Sequence, residues 1–73
     1  MKLNELNKGE SARIVNIDAP ADLKNRLMSF GVIRGAEITV SEYAPARKTI
    51  KLTVNATMIA LRFEEAQHIE VAR

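Results

Sequence analysis

Ile50-Lys51-Leu52-Thr53-Val54 alternates apolar and polar side chains at every step, and Asn55-Ala56 separates it from a second run, Thr57 to Arg62. Strict alternation marks a strand with one buried face, because successive side chains point to opposite faces of a sheet. Two residues between two such runs predict a tight hairpin, although Ala56 resists the positive φ that the favoured turn needs. Upstream, Ile38 and Val40 alternate with Glu37, Thr39 and Ser41, a further half-buried strand. Ala44-Pro45-Ala46-Arg47-Lys48 is then a loop or a wide turn. Downstream, Phe63 to Gln67 predicts one short helical turn, near 63–67, and Ile69 and Val71 a closing strand.

The N-terminal half supplies the remaining strand and one helix. Leu3 and Leu6 precede a turn at Asn7-Lys8-Gly9-Glu10. Ser11 to Ile17 is rich in β-branched residues, and the closeness of Ile14, Val15 and Ile17 predicts a strand with apolar contact on both faces. Asp18-Ala19-Pro20 then starts a helix over about 20–30, with Pro20 at a first position where its missing N–H costs nothing. Leu23, Leu27 and Phe30 fall at i, i+4 and i+7 on one helix face, and Asp22 and Arg26 are spaced to pair on another. Gly31 suits a left-handed C-terminal cap and Gly35 a second turn, so both are assigned to backbone geometry.

Strand, helix, then four strands is a mainly β fold. Bending about five short strands into a small, partly open β-barrel hides the edges and gives Ile14, Ile38, Val40, Ile50, Leu52, Val54 and Leu61 one core. The inserted α-helix covers it through Leu23, Leu27 and Phe30. With 73 residues and no linker or repeat, residues 1–73 form a single domain.

Composition removes several function classes. Cysteine is absent, which excludes disulfide frameworks, thiolate metal sites and cysteine nucleophiles. The formal charge of +2 is too small to define a polyanion binder by itself. No apolar run spans a bilayer, and Met1-Lys2-Leu3-Asn4-Glu5 is not the start of a signal peptide, so a cytoplasmic location is expected.

Little in the chain supports catalysis. Ser11, Ser29 and Ser41 lack a nucleophile-turn context. Glu64 and Glu65 are neighbours and diverge on a helical turn. His68, the only histidine, reads as a surface residue among Glu64, Glu65 and Glu70, and one histidine cannot complete a structural zinc site. The expectation is no enzyme, no cofactor and no metal site, with a weak oxygen-rich cation site near His68 as the remaining metal reading. Arg47, Lys48 and Lys51 form a local basic patch, but three phosphate contacts bind weakly and only Tyr43 offers a stacking platform. No nucleic acid is therefore expected.

Partner binding remains. Met28 lies about 100° off the Leu23–Leu27–Phe30 line, and Val32, Ile33 and Arg34 come shortly after it. An apolar cluster of Met28, Val32 and Ile33 beside Arg34 suits docking, since methionine adapts to a partner's shape. The same three residues could instead seal the helix onto the barrel; both readings stay open at this point.

The order of the remaining features resembles the FeoA family, small cytosolic components of bacterial ferrous-iron uptake. The resemblance rests on Leu3-x-x-Leu6-x-x-Gly9, Arg26-Leu27, Gly31-Val32, Gly35, Ile38 and Val40, and on Ala44-Pro45 before the next strand. Ile59-Ala60-Leu61-Arg62, then Glu65-Ala66 and Ile69-x-Val71, is similar to the family's C-terminal signature. Ala46-Arg47-Lys48-Thr49 and Asn55-Ala56 depart from the family's usual loops. The resemblance implies a Src-homology-3-like barrel with an inserted helix. It also implies a non-catalytic accessory of ferrous-iron transport that binds the cytosolic GTP-binding part of the membrane transporter FeoB, peripheral to the membrane through that partner. Candidate contacts are Met28, Val32, Ile33 and Arg34, with Tyr43 and Arg47 secondary. A nucleic-acid-binding barrel and a metal-responsive regulatory domain are the alternatives, and an exposed barrel edge could pair two copies weakly.

Overall fold

The computed structural model describes residues 1–73, which run as β1 (Ser11–Ile17), α1 (Ala21–Ser29), β2 (Glu37–Tyr43), β3 (Thr49–Val54), β4 (Thr57–Arg62), α2 (Phe63–Ala66) and β5 (Ile69–Ala72). Short 3-10 turns at Leu3–Glu5 and Pro45–Arg47 complete the path. The β3–β4 hairpin forms as its alternation predicts, pairing Val54 with Thr57 and continuing without a slip to Thr49 with Arg62. Asn55 and Ala56 take φ of 51° and 63°, the mirror-image turn whose twist matches the flanking strands. The paired strands on either side, Val54 with Thr57 and onward, hold Ala56 in it.

All five strands join one antiparallel sheet in the order β4-β3-β2-β1-β5. Register shifts between Ile14 and Asn16 in β1 and between Val40 and Glu42 in β2 bend it. The sheet curls around its core without β4 pairing to β5, so the barrel is partly open. All seven residues expected in the core are buried, joined by Leu3, Leu6, Leu27, Val32, Ile69 and Val71 among others.

Three local expectations change. Val15 is exposed rather than buried on a second face: the shift at Ile14/Asn16 inserts it as an extra residue, so the crowding of β-branched residues reflects a bulge. Pro20 stands one position outside α1, with Lys24 N–H donating to its carbonyl at 2.8 Å. Phe30 is 41% exposed, because the chain turns at the helix end and another residue fills the place beneath it.

The two sheet edges differ. Along β5, the Val71 N–H donates to the Met1 carbonyl (2.8 Å) and the N-terminal amine to the Val71 carbonyl (3.2 Å), with Lys2 bridging Glu70. That edge is covered. Along β4 no further strand pairs.

Candidate functional site

Helix α1 ends in a two-bond cap that decides which of its neighbours face solvent. Gly31 N–H donates to the Met28 carbonyl and Val32 N–H to the Leu27 carbonyl, each at 3.0 Å. This is the Schellman arrangement, in which a left-handed residue closes the helix and the next one folds back onto its last turn. Gly31 supplies the left-handed φ of 89°, and its missing Cβ leaves room for Asn55, whose Nδ2 would lie 2.7 Å from one. Gly35 takes φ of 90° in the turn before β2, with open space around it.

The cap corrects one expected contact. Val32 is only 1% exposed and belongs to the core with Leu27, so it cannot meet a partner from the surface. A residue directly after a Schellman glycine packs on the helix's last turn; the Gly31 assignment already carried that signal.

Met28 and Ile33, by contrast, stand 52% and 46% exposed on either side of the cap. With Arg34 they line an open notch of about 210 Å³, together with Asn16, Ile17 and Lys24. Ile17, Met28 and Ile33 give it an apolar lining, Lys24 and Arg34 add cations, and no carboxylate lines it. Lys24 and Ile17 were not singled out from sequence. Lys24 lies one helical turn before Met28, a spacing that could have found it; Ile17 reaches the notch only through the β1 bulge, which spacing does not reveal.

Tyr43 and Arg47 lie together elsewhere. The Arg47 guanidinium stacks over the Tyr43 ring at 4.4 Å from its centre, and the Tyr43 hydroxyl donates to the Leu6 carbonyl. Burial pushes the Tyr43 hydroxyl's pKa up, Glu10 adds to the rise, and the Arg47 charge opposes it. A ring so covered and bonded ties the first 3-10 turn to the sheet, which leaves it poorly placed to stack on a nucleic-acid base.

Arg26 pairs with Glu65 of α2 rather than with Asp22. The Arg62 N–H also donates to Glu65, at 2.9 Å. Burial of Glu65 alone would raise its pKa, but the hydrogen bonds from Arg62 and Arg26 and their charges outweigh it and hold the carboxyl below the usual range. His68 Nδ1 donates to the Asp18 carbonyl at 2.9 Å. With Glu65 and His68 so engaged, Glu64, Glu65, His68 and Glu70 do not gather into a cation site, and no cluster of three or more His, Cys, Asp or Glu stands ready for a metal.

Residues 1–73 match the FeoA domain family model. The chain is 41% identical over 71 residues to a Campylobacter jejuni protein carrying the name Fe(2+) transport protein A, covering 97% of this chain and 96% of that one. It is 34% identical over 71 residues to a Porphyromonas gingivalis fusion of Fe(2+) transport protein A with the Fe(2+) transporter FeoB, covering 97% of this chain and 8% of the fusion. A crystal structure of Stenotrophomonas maltophilia FeoA complexed with zinc, described as a prokaryotic SH3 domain protein, superposes with a TM-score of 0.84 at 29% identity. That match covers 99% of this chain and 89% of the other. The fold is accordingly Src-homology-3-like.

Proposed function

Because the chain belongs to the FeoA family, we propose that it is a non-catalytic accessory of ferrous-iron transport, working in the cytoplasm on the cytosolic GTP-binding part of FeoB. The observation that carries this reading is the Porphyromonas gingivalis fusion, in which a relative of nearly this whole chain is joined to the transporter in one polypeptide. Covalent fusion of two modules raises their effective concentration, which is useful where they touch. The surface offered to the partner is the Met28–Ile33 notch with its cations Lys24 and Arg34. An apolar anchor from FeoB fills the notch, and a neighbouring carboxylate meets the cations. Iron is the transporter's cargo, and the accessory acts through contact.

Titrating the cytosolic part of FeoB into isotope-labelled chain, monitored by amide chemical shifts, tests the reading. Saturable shifts at Lys24, Met28, Ile33 and Arg34 are expected. Met28→Asp, at an exposed position, should weaken binding by at least about tenfold, or 1.4 kcal/mol, while leaving the melting temperature unchanged. Equal affinity in that variant, or shifts confined to another face, would exclude the notch.

A further inference from the structure

The edge of β4 has the regularity that β-sheet proteins usually suppress. Its six pairs with β3 run without a bulge, it contains no proline, and Met58 at its start is 62% exposed. The hydrogen-bonding phase is fixed by one contact: Phe63 N–H donates to the Lys48 carbonyl at 2.9 Å. Main-chain groups alternate sides along an antiparallel ladder, so Ile59 and Leu61 bond towards β3, while Met58 and Ala60 aim N–H and C=O outward. None of the turn, loop and cap hydrogen bonds uses those outward groups. The Arg62 N–H points the same way but is taken by Glu65. Since β5 is covered by Met1 and Lys2, the sheet has one free edge.

A groove runs beside that edge. Arg26 and Phe30 at the end of α1, Glu65 of α2, and Thr49, Ala60, Leu61 and Arg62 of the sheet line it. Glu65 neutralises Arg26, but the Arg62 side chain, 76% exposed, has only Glu64 at 4.0 Å, itself 72% exposed. Exposed pairs at that separation contribute little. The adjoining cleft adds Arg47 and Lys48, so around the Arg62 end of β4 the cations Arg26, Arg47, Lys48 and Arg62 outnumber the carboxylates Glu64 and Glu65. A strand edge facing a helix end across a groove is the setting in which an extended peptide adds to a sheet, with main-chain bonds supplying affinity and alternate side chains supplying specificity.

We propose that the β4 edge is a second docking site, distinct from the Met28 notch, which takes an extended acidic–apolar segment of a partner protein as a sixth strand. Main-chain groups of the segment pair with Met58 and Ala60. Its apolar side chains lie against Phe30, and its carboxylates meet Arg62. Charge decides for this occupant over a second copy of the chain: two copies joined at β4 would bring the cations of both grooves into one seam, whereas an acidic segment neutralises them.

The test uses a capped heptapeptide of alternating valine and aspartate, added to the full chain and monitored by amide shifts and hydrogen exchange. Shifts at Met58, Ala60 and Arg62 with slowed exchange at Met58 and Ala60 are expected. A peptide with lysine for aspartate, or one N-methylated at alternate residues, should bind at least about tenfold more weakly. Ala60→Pro removes an outward donor without touching the β3 ladder and should weaken binding equally; if it fails to fold, Arg62→Glu, which should reverse the preference between aspartate and lysine peptides, decides alone. No shift at up to about 1 mM peptide, shifts confined to the Met28 notch, or dimerisation of the free chain through β4 in sedimentation would each overturn the proposal. Because Met28→Asp leaves β4 intact, failure here and failure of the FeoB contact are separately visible.

Discussion

Glu65 joins three elements: it sits in α2, accepts the Arg62 N–H at the end of β4, and pairs with Arg26 of α1. Its carboxyl is held below the usual range, so its ionised form favours the folded state. That stabilisation is fully present above the unfolded carboxyl's pKa of about 4.3 and disappears as pH falls through the lower folded value. Glu65→Gln should therefore lose about 0.5–1 kcal/mol at neutral pH, and the gap to the parent chain in urea melts should close below about pH 4. A gap that persists in acid would mean that packing, rather than charge, is lost. Gly31 offers a second residue-level test. A side chain there faces both a left-handed backbone and the Asn55 amide, whereas Gly35 faces the backbone problem alone. Each alanine substitution should cost about 1–2 kcal/mol, with Gly31→Ala the more damaging in denaturant midpoint.

Among the elements, the β3–β4 hairpin and the end of α1 contrast in legibility. The hairpin was readable because alternation and turn length both depend on local residues. Ala56 keeps a positive φ under constraint from the paired strands, so Ala56→Gly should stabilise the chain by about 0.5–1 kcal/mol, measured by thermal melting. At α1, helical periodicity placed Leu27 inside correctly and misplaced Phe30, since the Schellman turn returns Val32 to the core after only two further residues. Periodicity ends with the helix, and beyond it the cap sets which side chains turn inward. The same limit applies to β1, where a bulge moved Val15 outward and brought Ile17 to the notch. Met28, Ile33 and Arg34 were legible as a group because they flank one turn; Lys24 and Ile17 depend on tertiary placement.

For the molecule as a whole, sheet order was harder to foresee than strand content, because β5 returns across the sheet to pair with β1 and not with its neighbour in sequence. The covering of β5 by Met1 and Lys2 was also unforeseen, since those residues carry no strand pattern. Removing Met1 and Lys2 should cost about 1–2 kcal/mol through the two lost main-chain bonds and speed hydrogen exchange at Val71, while exchange at Ile50 and Leu52 changes only with overall stability. Protection at Val71 that survives the deletion would show that the edge is guarded by packing alone. The same pair of bonds leaves Met1 beside the last strand, two residues before Arg73. A tether attached at either terminus therefore departs from one corner of the domain, so gene order in a tandem polypeptide is nearly free, and joining the ends through a short glycine–serine bridge should yield a circularly permuted version with the same sheet.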